Sequence, residues 1–449
     1  MEKWIRWGAL GVPLFVGACT GDGGTSGIHG DPDGGEDVEP AHAGVCFGEG
    51  TRCDAPLFEP LTPGSPVDAD CSDGEAATMQ WTHDLGTFEC VLPACPAADA
   101  HVAADAGKYW AVSELSLPRA EPGGDAVGFA VTQLDESGTT RFSAPSDVHR
   151  RIDGTYYPAQ ITRDVDVDSS GRLRWLLPSP DGKGLDLRLL ATDGRVLSNR
   201  TALSGTVAIA GDAAWLSDGS VVVTYRFTDV PDGTIDDKLF SGAARFDPAG
   251  RLLWNQTLFA ESLKTDPTIS GMPIRIVGER AGLGVVIRAL IERTDTTSTG
   301  LLTLDAHGNV VSARELQDAT FPGGSADASA RALDDDSIVL GYQAPSSSNL
   351  DVERFAEDGT SMGHVHGSYG DAIVFDRDGR AVTLEQSTPP SVTVLDAMMG
   401  TCVSHVLDPG DAASTHGATS PALTASLALT ANGGLFFGSG QTIGLVRLP

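Results

Sequence analysis

Three groups of residues in this 449-residue sequence have types and spacings that could do chemistry. Asp164, Asp166 and Asp168 alternate with valines and run into Ser169-Ser170-Gly171, the Asp-x-Asp-x-Asp spacing of a calcium loop. The glycine falls two residues late, and no acidic residue closes the loop at the right distance. The same alternation describes a strand with Val165 and Val167 turned inwards, ending in an acidic turn. Asp229 to Asp237 and Asp334-Asp335-Asp336 read as similar solvated turns. His364-Val365-His366 places two imidazoles on one face of a strand. That is a start on a metal site, with His405 and His416 as candidates for a third ligand; surface histidines are the plainer alternative. The third group is the cysteines: Cys19, Cys46, Cys53, Cys71, Cys90, Cys95 and Cys402.

The familiar catalytic signatures are absent. There is no Gly-x-Ser-x-Gly elbow, no phosphate-binding Gly-x-x-x-x-Gly-Lys-Ser/Thr and no His-Glu-x-x-His. No Gly-x-Gly-x-x-Gly opens a helix. Composition narrows the field further. Hydrophobic residues are 41% and charged residues 20%, enough to bury a core. Thirty Lys and Arg stand against 61 Asp and Glu, a net charge of -31. Such a chain is not built to neutralise phosphates, so nucleic acid is excluded as a partner, and so is adsorption to anionic lipid. The carboxylates are scattered, as in a chain kept soluble by self-repulsion.

The elements that carry these residues repeat from about residue 98 onwards. The clearest copy runs Ala213 to Leu216, an Asp218-Gly219 turn, Ser220 to Phe227, then Gly242 to Phe246, an Asp247 to Gly250 turn and Arg251 to Trp254. Asp-Gly between apolar runs marks a hairpin. The first turn recurs near Gly107, Gly171, Gly219, Leu283, Asp336, Gly379 and Gly433, roughly every 54 residues. The second recurs near Gly138, Gly194, Gly250, Gly308, Gly359 and Gly400. Two hairpins make four strands per unit, and no amphipathic helix interrupts them. Four-stranded units repeated in this way resemble the blades of a β-propeller. The resemblance implies an all-β fold, a seven-bladed propeller of four-stranded antiparallel blades over residues 98–449. A misread copy would make it six or eight blades. The units lack the Trp-Asp ending of WD repeats and the glycine pairs of kelch, and look most like the degenerate repeats of bacterial exported propellers. Trp110, Trp175, Trp215 and Trp254 sit at or near blade strands, where packing between blades competes with lining a channel.

The seventh unit, from Ser426 to Pro449, supplies only three strands. A strand from upstream is expected to complete it, and Thr78 to His83 or Gly86 to Leu92 are the candidates.

Residues 1–18 have a positive start, Lys3 and Arg6, and a short apolar stretch from Trp7 to Val16. That stretch is too short to span a bilayer and reads as a secretory signal. Its ending, Val16-Gly17-Ala18-Cys19, resembles the lipobox of bacterial lipoproteins. The resemblance implies cleavage before Cys19 and lipidation of that residue. It implies a lipid anchor as the sole membrane attachment. With Thr20, not Asp, in second place, it points to the outer membrane. Residues 19–44 are rich in Gly and Asp and read as a flexible tether. Residues 45–97 form a Cys-rich segment. Cys46, Cys53, Cys71, Cys90, Cys95 and Cys402 make an even set in an exported chain, hence three disulfides of undetermined connectivity. Five lie upstream of residue 96, so one of them is expected to pair with Cys402.

The expected role is binding or scaffolding for an envelope protein or a polysaccharide, with no catalytic residue and no cofactor assigned. Two rivals stand beside it. One is an exported enzyme (lyase, glycosidase or quinone-cofactor oxidoreductase) using the propeller channel. The other is a calcium-binding surface protein using Asp164, Asp166 and Asp168.

Overall fold

A glycine in the left-handed region turns the chain back at every second strand of the repeats, and those turns set the architecture. In the clearest repeat, Gly219 has φ 80° and donates to Leu216 O at 2.9 Å, while Gly250 has φ 81° and donates to Asp247 O at 2.8 Å. Asp336 takes the same role in its repeat with φ 65°, the one non-glycine residue with positive φ among the described residues.

The computed structural model describes residues 52–53, 57–88, 95–105, 107–115, 126–150, 165–178, 184–204, 207–209, 212–229, 238–262, 270–280, 282, 284–292, 297–316, 330–343, 350–368, 372–385, 391–408, 426–439 and 441–449. Six short strands come first: β1 (Arg52–Cys53), β2 (Glu59–Pro60), β3 (Val67–Asp68), β4 (Asp70–Asp73), β5 (Ala77–Asp84) and β6 (Thr87–Phe88). The repeats follow. Unit one is β7 (Cys95–Asp105), β8 (Lys108–Leu115), β9 (Ala126–Asp135) and β10 (Thr140–Arg150). Unit two is β11 (Val165–Val167), β12 (Leu173–Pro178), β13 (Gly184–Leu190) and β14 (Val196–Ser204). In unit three the first strand is in two pieces, β15 (Val207–Ile209) and β16 (Ala213–Trp215), before β17 (Val221–Asp229), β18 (Lys238–Phe246) and β19 (Leu252–Ser262). Unit four is β20 (Ser270–Arg280), β21 (Gly284–Glu292), β22 (Thr297–Leu304) and β23 (Val310–Leu316). Unit five is β24 (Ala330–Ala332), β25 (Ile338–Gln343), β26 (Leu350–Phe355) and β27 (Ser361–Ser368). Unit six is β28 (Ala372–Phe375), β29 (Ala381–Glu385), β30 (Ser391–Asp396) and β31 (Thr401–Asp408). The last unit has β32 (Ser426–Leu429), β33 (Gly434–Ser439) and β34 (Thr442–Arg447).

Within each unit the strands pair antiparallel in chain order, giving an all-β propeller of four-stranded sheets. The first strand of each unit contacts that of the next from β20 through β24 and β28 to β32, and β32 returns to β7. Apolar side chains fill the gaps between successive sheets. Leu176 of unit two packs with Val221, Val223 and Tyr225 of unit three, and Val286 and Leu301 of unit four pack with Ile338 and Tyr342 of unit five.

Trp110 and Trp175 are fully buried in the gap between units one and two, and Trp110 Nε1 donates to Gly171 O at 3.1 Å. Trp254 packs in the gap between units three and four, and Trp215 is partly buried under Arg174. These tryptophans therefore serve packing between units.

The upstream strands do more than close the last unit. β5 pairs antiparallel with β34 as its fourth strand, with Trp81 opposite Leu445. Thr78 to His83 is thus the strand that completes the unit. The other candidate, Gly86 to Leu92, is described only as far as Phe88, where β6 pairs with the start of β7. Before β5, the chain runs along the outer edges of four units in turn. β1 lies parallel to β19, β2 to β23, β3 to β27 and β4 to β31. This strap gives four outer strands a further hydrogen-bonded neighbour, which closes exposed sheet edges. Cys71 of β4 lies directly opposite Cys402 of β31, and the two form a disulfide, the upstream partner expected for Cys402.

Candidate functional site

Carboxylates two residues apart on a strand buried on both faces are unusual, because an unpaired buried charge is costly. Unit five has such a pair. Asp351 is 2% exposed and Glu353 is fully buried on β26. The Ala356 to Thr360 turn folds β27 back so that Glu353 lies opposite His364 and Asp351 opposite His366. Tyr342 of β25 completes the cluster from the other side.

Each carboxylate oxygen in this cluster has a donor. Glu353 Oε2 accepts from Tyr342 Oη at 2.7 Å, and Oε1 accepts from Ser361 Oγ at 2.5 Å and from Gly64 N at 2.7 Å. Asp351 Oδ1 accepts from His366 Nδ1 at 2.6 Å, and Oδ2 faces His364 Nε2 at 3.1 Å. His364 Nδ1 faces Gly64 O at 2.9 Å. Both nitrogens of His364 therefore point at acceptors, a carboxylate and a carbonyl, an arrangement that favours the doubly protonated ring. Burial works against that charge. Hydrogen bonding to Asp351 and Gly64 O, with Glu353 close by, outweighs it and raises the His364 pKa above its ordinary value. Burial, with Glu353 beside it, raises the Tyr342 phenol well above the usual range.

What this cluster can do follows from what it holds. Gly64 lies in the strap between β2 and β3, and its N–H and C=O are both taken by unit five. The cluster is a clamp on the strap. His405 does the same one unit on: it is 9% exposed, and its Nδ1 meets Glu75 O at 2.7 Å. The histidines that the sequence offered as metal ligands or surface groups are thus set towards strap carbonyls and Asp351. His416 lies outside the described residues.

Of the calcium candidates, Asp164 lies outside the described residues. Val165 to Val167 form β11, as the strand reading has it, and Asp166 is half exposed with Arg174 at 3.8 Å. Asp168 caps its turn, accepting from Ser170 N at 2.9 Å, Arg172 N at 3.0 Å and Arg172 Nε at 2.7 Å. Burial alone would raise its pKa, but these donors hold it below the carboxylate range. Asp247, Asp305 and Asp376 cap the same turn in other units. No group of three or more His, Cys, Asp and Glu side chains is arranged for a metal among the described residues. Cys19, Cys46 and Cys90 lie outside the described residues; Cys53 and Cys95 are in β1 and β7.

A cavity of about 230 Å³ lies between unit one and the last unit beside their turns, lined by Asp105, Lys108, Tyr109, Glu136, Thr430 and Asn432 among others. It brings one lysine, one tyrosine and two acids together without a histidine or a cysteine.

Sequence reasoning found the histidines but missed their partners. The signal was available. Asp351-x-Glu353 and His364-x-His366 share a period of two on either side of an Asp358-Gly359 turn, which sets acid opposite imidazole.

No family model matches the chain, and no curated protein matches it. Among solved structures it is similar to the Dos1 propeller at 10% identity and TM-score 0.42, covering 83% of this chain and 95% of that one. It is similar to the Neurospora crassa Pan2 WD40 domain at 11% identity and TM-score 0.42, covering 84% and 98%. A Penicillium chrysogenum α-L-arabinanase is similar at 10% identity and TM-score 0.39, covering 62% and 89%. At these values the neighbours carry no argument about activity. The fold rests on the strand order, and by that order the chain is an all-β propeller.

Proposed function

We propose that this chain is an exported, lipid-anchored binding module. Its seven-bladed disc hangs from the outer membrane by Cys19 and presents one face to an envelope protein or a polysaccharide. The observation that carries the reading is the inequality of the two faces. The connections within each Asp-Gly hairpin are two to five residues long and all leave the strands at one end. The connections at the other end are unequal and reach 116–125, 151–164, 317–329 and 409–425. Variable connections displayed on a rigid scaffold are where binding surfaces reside. The buried titratable cluster of unit five is occupied with the strap. Arg52, the first described residue, pairs with the outer strand of unit three, an attachment point on the rim that is compatible with a tether from Cys19.

The test is crosslinking on intact cells, then pull-down of the anchored protein. Two variants serve as comparison: Cys19→Ala, and one with residues 317–329 replaced by a four-residue turn. A partner lost in both variants supports the reading. If the parent protein carries no lipid and is recovered in the soluble fraction, the anchor is wrong. If neither an envelope protein nor any glycan on an array is retained, the binding role is wrong.

A further inference from the structure

The strap follows a register that the sequence continues upstream of the described residues. Each outer strand begins two residues after its turn glycine, at Val196, Leu252, Val310 and Ser361 in units two to five. The fifth residue of that strand is the one the strap meets. Arg52 lies opposite Gln256, Glu59 opposite Arg314 and Val67 opposite Val365. Across units three to five the strap thus advances by seven and then eight residues, each time to the equivalent position; in unit six it pairs with the first four residues of β31. In unit two that position is Arg200, on β14. Among the described residues β14 pairs only with β13, so its outer edge is bare.

Exposure marks the difference. In units three to five the fourth residue of the outer strand is buried: Asn255 at 8%, Ala313 at 7% and His364 at 7%. The equivalent Asn199 of β14 is exposed, as is Arg200, whereas Gln256 and Val365 are 1% exposed. One step of seven upstream from Arg52 is Val45. Val45-Cys46-Phe47 is the one run of three apolar residues between Thr20 and Thr51. Cys46 falls where Cys53 stands one unit later, opposite the equivalent of Thr257.

We infer that Val45 and Cys46 dock on the outer edge of β14 as a further parallel strand of the strap, with Val45 opposite Arg200 and Cys46 opposite Thr201. The strap then covers five consecutive units. The edge of β10 stays uncovered, since the register places its strand seven further residues upstream, at Val38 in a run of Gly, Asp, Glu and Pro.

Hydrogen exchange on the full oxidised chain tests this. β14 is expected to exchange at least about tenfold more slowly than β10, close to the rate of β19. Val45→Pro removes a backbone donor and stiffens the segment. It is expected to release β14 to the β10 rate while β12 and β13 keep theirs, which shows that the unit remains folded. The inference fails if β14 exchanges like β10 in the parent protein, or if V45P leaves it unchanged. It also fails if the protection of β14 grows with protein concentration, because a second copy then covers the edge.

Discussion

His364 illustrates how one side chain ties two distant stretches of sequence. Its Nδ1 holds Gly64 O, its Nε2 holds Asp351, and neither acceptor can be satisfied by a nitrogen that has lost its proton. The groups around it are Asp351 and Glu353 from β26, Tyr342 from β25, His366 on its own strand and Asp68 of the strap opposite His366. Arg288, 1% exposed, lies on the same face as Val286 on the strand of unit four that packs against unit five. With the folded pKa raised above the unfolded value of 6.5, the stabilisation is complete below that value. It is lost as pH rises through the folded pKa. The urea midpoint is therefore expected to fall as the pH rises above 6.5 in the parent, and to be flatter with pH in His364→Gln. An unchanged slope in H364Q removes this histidine from the account. Glu353 tests the same clamp by deletion. Glu353→Ala leaves Tyr342, Ser361 and Gly64 N without their acceptor, an expected loss of about 3 kcal/mol or more. Faster proteolysis should appear first between β2 and β3.

A repeated contact between neighbouring units stands out among the elements. A side chain from the outer strand of one unit covers the turn glycine of the next: Trp81 over Gly138, Phe142 over Gly194, Arg200 over Gly250, Trp254 over Gly308 and Arg314 over Gly359. The two tryptophans also donate across the gap, Trp81 Nε1 to Glu136 O at 3.1 Å and Trp254 Nε1 to Ala306 O at 3.0 Å. The glycine is thus needed twice, for its positive φ and for the space above it. At Gly308 φ is 81° and a Cβ would stand 2.7 Å from the Trp254 ring; at Gly282 φ is 77° and a Cβ would meet nothing within 4 Å. Gly282→Ala is expected to cost about 1 kcal/mol for the backbone alone. Gly308→Ala adds displacement of the ring and is expected to cost about 3 kcal/mol. Equal costs in chemical denaturation would mean that the indole does not brace the turn. These turns were legible in the sequence because a turn glycine at a fixed spacing, with an Asp just before it, is dictated by backbone sterics, as at Asp218-Gly219 and Asp247 to Gly250. The strap was not. β1, β2 and β3 are two-residue strands with no periodicity, held by the edges they meet and not by their own pattern. The clamp was half legible: His364 and His366 were visible, but their burial depends on Gly64, which no local rule brings there.

The strap makes the whole molecule one closed circuit. It leaves unit three at β1, crosses three more edges, becomes the fourth strand of the last unit as β5 and runs through β6 into unit one. A propeller opens most easily where its ends meet, because only non-local contacts hold that seam. Here the seam is β5 against β34, and the Cys71–Cys402 disulfide stands just before it, across a sequence separation of 331 residues. Closing so long a loop removes much freedom from the unfolded chain, in the chain-entropy account up to about 5 kcal/mol. The location adds a second effect. Cys71 is fixed to β31 six residues before Ala77, so the bridge limits how far β5 can lift from β34 and from Leu407 of unit six. The double variant Cys71→Ala with Cys402→Ala leaves no unpaired thiol from this bridge. Its unfolding free energy is expected to fall by several kcal/mol, with exchange in β5 and β34 rising before that in β17 or β21. Loss of stability with uniform exchange would limit the bridge to the unfolded state. Early loss at the seam would show that the disulfide holds the ring shut, and that the strap is the part of the fold on which closure depends.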